Sequence, residues 1–205
     1  MLKDLVIYGA SWHGREVMQV CRDTGMYMGS ACFLDDGLSG RKVDGIDVFS
    51  GYRLYEGAFV ENHRFVIAIG NNKTRLRIGN DILSKGGEIE TVVHPSALVW
   101  QNAEIGLGTV IFPRAIVSVA AKVGRFCIVN KHATIGHGAI LGDGANISDS
   151  CAMSGNVGAE SFMGLNSVCI PGVDIGSHCT VGAGAAVIRN VPDGATVVGV
   201  PARQR

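Results

Sequence analysis

The chain has 205 residues, 47% of them hydrophobic, and its eighteen basic side chains balance eighteen acidic ones. That is ample apolar material for one or two packed domains, and zero net charge with no lysine- or arginine-rich run argues against a broad nucleic-acid surface. The opening stretch, Met1 to Gly9, is too short and too quickly broken for a signal peptide or membrane span, so no membrane partner is expected and a cytoplasmic location is the default.

Leu5-Val6-Ile7-Tyr8 reads as a buried strand. It runs into Gly9-Ala10-Ser11-Trp12-His13-Gly14 and then into a helix predicted from Arg15 to about Arg22, stopped near Gly25. Strand, glycine-bearing turn and helix make half of a nucleotide-binding βαβ unit, whose turn offers backbone N–H groups and a helix N-terminus to a phosphate. The spacing is not GxGxxG, and a tight βα turn with no ligand reads the same residues equally well. A second strand, Ala31 to Leu34, ends in Asp35-Asp36-Gly37. An acidic residue about 20 positions beyond the glycine turn is where such folds hold a ribose, although Asp-Asp-Gly is by itself more often a turn. Phe65 to Ile69 reads as another buried strand, ending at Gly70-Asn71-Asn72 and leading into a helix from Lys73 to Ser84 that Gly86-Gly87 closes. A last strand, Glu88 to Val92, passes into His94-Pro95. The first domain, residues 1–91, is therefore a small α/β unit, followed without a flexible linker by a second domain over residues 92–205.

From Val93 every sixth residue is apolar: Val93, Val99, Ile105, Ile111 and so on without a break to Met153. After one slip of phase the series resumes at Val157 and runs to Val187. The fifth residue of each six is usually small, and glycine often fills the second place. A period of six fits neither a helix nor a hairpin; it fits a short strand and a tight turn, repeated, three units closing one triangular coil of about 18 residues and coils stacking at the strand spacing of about 4.8 Å. Of the six cysteines, Cys127, Cys151 and Cys179 fall in the small slot and Cys169 in the large one, so they read as buried hydrophobes, while Cys21 and Cys32 lie in the first domain without a CxxC.

The repeat resembles that of the hexapeptide-repeat transferases, which implies a left-handed parallel β-helix; the handedness is implied by the resemblance alone. The whole chain resembles a narrower family, the nucleotide-sugar acetyltransferases of the sialic-acid and bacillosamine type. That resemblance is carried by Ile7-Tyr8-Gly9-Ala10-Ser11, Phe33-Leu34-Asp35-Asp36, Ala68-Ile69-Gly70-Asn71-Asn72, His137, Ser154-Gly155-Asn156, Gly164-Leu165-Asn166-Ser167 and Gly199-Val200-Pro201-Ala202-Arg203. It implies an N-terminal Rossmann-like domain that holds the nucleotide sugar, and acetyl-CoA as co-substrate along the helix between two subunits of a homotrimer, with no metal. It implies N-acetylation of an amino sugar, with His137 as general base. Asn130 matches a family asparagine near the sugar; Asn146, Leu165 and Ala183 match positions that contact CoA; Ser11, Trp12, His13, Asp35, Asp36 and Gly70 match nucleotide-sugar positions.

Acetyl transfer needs a proton acceptor for the attacking group, stabilisation of the oxyanion, and alignment of both reactants. Histidine suits the first task, its unperturbed pKa being about 6.5. Of the six histidines, His132 and His137 occupy outward slots of the repeat and remain candidates. Gly155 lies 18 residues beyond His137, which predicts that the two stack about 5 Å apart and that the Gly155 N–H faces the thioester oxygen. Three features depart from the family. The neighbours of His137 are Gly136 and Gly138 where a carboxylate is usual, leaving Asp149 and His132 as unplaced candidates for orienting it. Trp12 stands where a phosphate-loop glycine is usual, and only three residues separate Met153 from Val157. The rival readings are O-acetylation of a sialic-acid-like sugar, a non-catalytic nucleotide-sugar-binding subunit, and a γ-type carbonic anhydrase using the five-residue spacing of His132 and His137.

Overall fold

The computed structural model describes residues 3–26 and 30–205, and the chain divides into two compact units, residues 1–92 and 93–205. In the first unit the elements are β1 (Asp4–Tyr8), α1 (Trp12–Asp23), β2 (Ala31–Leu34), β3 (Lys42–Val43), β4 (Ile46–Phe49), α2 (Gly57–Asn62), β5 (His63–Ile67), α3 (Asn72–Ser84) and β6 (Glu88–Ile89), with a 3₁₀ turn over Gly51–Tyr55. They build one sheet in the order β3-β4-β2-β1-β5-β6. The pairings β1–β2, β1–β5, β2–β4 and β5–β6 are parallel, and only the β3–β4 hairpin is antiparallel. Leu5, Val6 and Ile7 are buried on both faces, as a central parallel strand must be.

Helix α1 begins three residues earlier than its apolar pattern predicts, so Trp12, His13 and Gly14 form its first turn and not a loop. Gly14 makes this possible: a Cβ there would collide with the Gly9 carbonyl. The expected strand from Phe65 to Ile69 starts and ends two residues sooner, at His63 and Ile67. The predicted strand Glu88–Val92 splits, β6 staying in the first unit while the strand Val92–Val93 straddles the boundary between the units. The β3–β4 hairpin and α2 have no counterpart in the sequence reading.

The second unit is a parallel β-helix of three faces. The first face stacks the strands beginning at Val92, Val110, Ile128, Asn146, Phe162, Thr180 and Thr196; the second those beginning at Leu98, Ile116, Thr134, Ala152, Val168 and Ala186; the third those beginning at Glu104, Lys122, Ile140, Asn156 and Asp174. In each two-residue strand the second residue points inward, and Ile111, Val117, Val129, Ile135, Ile147 and Met163 are wholly buried along the axis. The small slots Ala115, Ala121, Ala133, Ala145 and Ala185 fill the corners. From Gly108 onward each full corner turns through a left-handed residue every sixth position, among them Arg114, Ala120, Phe126, His132, Gly138 and Gly144.

Coils advance by eighteen residues, as in Ile128↔Asn146, except twice. Beyond Met153 the step falls to sixteen, Leu141 pairing with Val157, and beyond Val187 it falls again, Ile175 bridging to Val191. At both short corners an asparagine side chain replaces a ladder acceptor. The Ile140 N–H donates to Asn156 Oδ1 at 2.9 Å, and the Asp174 N–H donates to Asn190 Oδ1 at 3.0 Å.

Candidate functional site

In the first unit the candidate residues gather at the carboxyl ends of three adjacent parallel strands. Ser11, Trp12 and His13 follow β1, Asp35 and Asp36 follow β2, and Gly70 follows β5. β1 is flanked by β2 and β5, so the chain leaves it in opposite directions there, and the crevice at such a point is where open α/β sheets bind ligands. Ser11 is the N-cap of α1 in extended conformation, its side chain making no cap hydrogen bond. The first turn of such a helix carries N–H groups that the helix leaves for an anion.

The two aspartates differ. Asp35 is taken up by the backbone: Oδ2 accepts from the Ala10 N–H and Oδ1 from the Gly37 N–H, both at 3.0 Å, which pins the β1 turn to the end of β2. Asp36 Oδ1 accepts from the Ser50 hydroxyl at 2.6 Å and the Gly51 N–H at 2.8 Å. Those donors hold the Asp36 carboxyl below the usual carboxylate range. Asp36 lines a cavity of about 390 Å³ with Tyr8, Ser50, Gly51, Arg77 and Asp81. Gly70 is exposed, and the loop after it is held by Arg75, a wholly buried arginine whose Nη1 donates to the Ile69 and Gly70 carbonyls at 2.8 and 3.1 Å. Arg75, Ser50 and Arg77 escaped the sequence reading; the one available signal is an arginine a turn into the helix after a glycine loop.

In the β-helix the candidates divide between two edges. Asn130, Leu165 and Ala183 lie on the corners between the first and second faces of successive coils. Asn146, on the first face, is buried, and Asn130 Nδ2 donates to Asn146 Oδ1 at 3.2 Å and to the Ile147 carbonyl at 3.1 Å. Leu165 is 53% exposed, and Ala183 is exposed. His137 and Gly155 lie on the other edge, between the second and third faces. The second face separates the two sets within one chain.

His137 is exposed, and among the described residues its ring has no hydrogen-bond or ion-pair partner. Its corner is held by the Gly138 N–H, which donates to the Val119 carbonyl at 2.9 Å. The expected stack with Gly155 is corrected by the register. On the second face Ile135 pairs with Met153, but on the third Leu141 pairs with Val157, so the four residues 136–139 stand over only Ser154 and Gly155. Gly155 thus takes the place of Ala139, and His137 overhangs a notch two residues deep. Gly155 is buried; a Cβ on it would strike the Val173 carbonyl and lie 3.0 Å from Cys169 Sγ. Burial pushes the Cys169 thiol up, and the neighbouring Gly155 backbone opposes that shift.

Asp149 and His132 do not orient His137 within the chain. Both sit on the first–second edge, where Asp149 Oδ1 lies 3.6 Å from Lys131 Nζ and His132 is a left-handed turn residue. The cysteines are all free. Burial pushes Cys21 up to about 12 and Cys32 to about 11, so neither is a nucleophile at neutral pH. Among the described residues no helix is long and apolar enough to cross a membrane.

Comparison with known proteins gives this geometry its context. The model of the PglD N-terminal domain matches residues 4–82. GDP-perosamine N-acetyltransferase of Escherichia coli O157:H7 is 32% identical across 97% of this chain and 94% of its own length. The acetyltransferase domain of PglB from Neisseria gonorrhoeae FA1090 superposes with a TM-score of 0.94 at 32% identity, covering 99% of this chain and 100% of that one; its structure in complex with acetyl coenzyme A gives 0.93. PerB from Caulobacter crescentus, in complex with CoA and GDP-perosamine, gives 0.77 at 25% identity over 100% of this chain and 98% of that one. With a relative this similar along nearly its whole length, and with the same pairing of a nucleotide-type α/β unit and a parallel β-helix, the chain belongs to the nucleotide-sugar N-acetyltransferase family.

Proposed function

We propose that the chain transfers the acetyl group of acetyl-CoA to the amine of a nucleotide-linked amino sugar, with His137 as the general base, in a groove completed by a second copy of the chain. The β1–α1 turn seats the diphosphate and Asp36 takes the nucleoside side. Acetyl-CoA lies along the edge that carries Leu165 and Ala183, with Asn146 and Asn130 at its upper end. His137 accepts the proton as the sugar amine attacks the thioester carbon; the tetrahedral intermediate then expels CoA thiolate, which takes up a proton. Gly155 contributes shape: with no side chain and two residues fewer, the coil below His137 leaves room for the acetyl group.

The observation that carries this reading is His137 itself, a histidine ring with no partner among the described residues of its own chain, overhanging the contracted corner. The need for a second copy follows from the two edges, since residues separated by a whole face meet only when the edge of one copy abuts the other edge of its neighbour. Exposed Leu98, Val119, Val168, Ile170 and Ile188 on and beside the second face supply an apolar surface for that contact, and closed cyclic symmetry makes a homotrimer the natural assembly for a three-sided prism. The test is the release of CoA thiol with GDP-, UDP- and dTDP-linked amino sugars. His137→Ala should lower kcat by about 10²- to 10⁴-fold while the KM for acetyl-CoA holds. An unchanged kcat would overturn the assignment.

A further inference from the structure

Trp12 is 78% exposed at the first position of α1. An indole so placed is normally free to sample rotamers, but this one is braced. The Arg15 guanidinium lies over its ring, 4.4 Å from the centroid. Arg15 is itself fixed by a fork of hydrogen bonds, Nε to Asp44 Oδ2 and Nη2 to Asp44 Oδ1, both at 2.8 Å. Asp44 stands at φ +49 in the Asp44-Gly45 connection of the β3–β4 hairpin. A strut therefore runs from the hairpin through Arg15 to one face of the indole and leaves the other face open. The hairpin lies beyond β2 in the sheet, on the flank of β1 where Asp35 and Asp36 emerge and opposite the flank of β5 and Gly70.

We propose that the open face of Trp12 is a stacking plate for the nucleobase of the sugar nucleotide, which makes Trp12 a nucleoside-binding residue with Arg15 and Asp44 as the positioning residues that hold it. The inference rests on the function proposed above, in which the β1–α1 turn seats the diphosphate. With the diphosphate there, the nucleoside and the hexose leave in opposite directions. The carboxylate suited to a nucleoside, Asp36, is on the strut's flank, so the plate meets the base and not the sugar. Stacking on an aromatic face tolerates any base, because every base has a π-face; the plate sets affinity for the nucleoside half and leaves the acetyl chemistry alone.

The chain has two tryptophans, Trp12 and Trp100, so Trp100→Phe leaves Trp12 as the sole indole reporter. In that background GDP or UDP should quench Trp12 emission, and inorganic pyrophosphate or ribose 5-phosphate should not. Trp12→Ala should raise the KM for the nucleotide sugar roughly tenfold, the order expected for one base–aromatic stack, with kcat and the KM for acetyl-CoA unmoved. Trp12→Phe should recover most of that loss, and Asp44→Asn, which loosens Arg15, should give a smaller rise in the same KM. A purely structural role would instead move Tm and both KM values together. Absence of quenching in an enzyme that turns over the nucleotide sugar overturns the plate and leaves the function standing. Emission already shifted to the blue without ligand overturns it too, since a second copy would then cover the indole. Failure to turn over any nucleotide amino sugar overturns the functional reading first and the plate with it.

Discussion

Asp36 and Asp35 sit side by side in the sequence, yet their surroundings assign them different work. Asp35 spends both oxygens on backbone N–H groups, so its removal should first be felt as a loosened β1 turn. Asp36 receives a hydroxyl and an N–H on one oxygen, which lowers its pKa in the folded chain. A depressed carboxylate stabilises the fold above its unfolded value near 3.9, and that contribution is lost as the pH falls through the lower, folded value. Asp36→Asn should therefore lower Tm at pH 7, by no more than about 2–4 °C because the group is exposed and screened, and the gap to wild type should close as the pH is brought below about 4. Thermal unfolding of both proteins from pH 7 down to pH 3 checks this; a gap that stays constant with pH would show that the charge plays no part. The acidic pair is legible in the sequence as a position, but which carboxylate is spoken for is not, because the answer lies in Ala10, Ser50 and Gly51, which carry no signature of their own.

The β-helix is readable residue by residue because every stacked strand must send a large apolar side chain to the axis, and the small slots and left-handed corners follow from the same geometry. What the repeat hides is the accommodation of its defects. The slip after Met153 is visible as a shift of phase, but its consequence, moving Gly155 from beneath His137 to beneath Ala139, depends on pairing registers on two different faces. The second slip, between Val187 and Val191, lies beyond the last regular repeat and its marker, Asn190, looks like any loop residue. In the first unit the Asp44-Gly45 pair is a strong hairpin signal that the short flanking strands obscured. Two predictions belong at this level. Asn156→Ala removes the acceptor of the Ile140 N–H and should cost about 0.5–1.5 kcal/mol in urea unfolding. Asn156→Asp should cost more, since Asn156 Nδ2 donates to Asp174 Oδ1 at 2.8 Å and a second carboxylate would repel where the amide donated; a milder effect than alanine would contradict the arrangement. Gly155→Ala should destabilise by about 1–3 kcal/mol through overpacking against Val173 and Cys169, seen as a fall in Tm even without substrate. Full stability with lost activity would mean that Gly155 acts through its amide after all.

At the scale of the molecule the decisive fact is that His137, the proposed base, and Leu165 and Ala183, the proposed CoA positions, occupy different edges of one prism. If the working groove joins the His137 edge of one copy to the Ala183 edge of the next, each groove draws on two chains, and defects on the two edges can complement. His137→Ala removes the base. Ala183→Trp, at an exposed corner, blocks the CoA channel without entering the core. Each variant alone should be inactive. Unfolded together in equal amounts and refolded, they assemble at random into rings in which a groove is intact only when its His137 edge comes from the Ala183→Trp chain and its other edge from the His137→Ala chain. That happens with a probability of about one half for each edge, so about one quarter of wild-type activity should return in any closed ring with heterologous contacts. Sedimentation of the refolded mixture should give the same particle mass as wild type, which separates a failure of assembly from a failure of the shared groove. Activity that stays at zero in particles of correct mass would place base and CoA channel in the same chain, and would require the His137 edge to hold acetyl-CoA by itself.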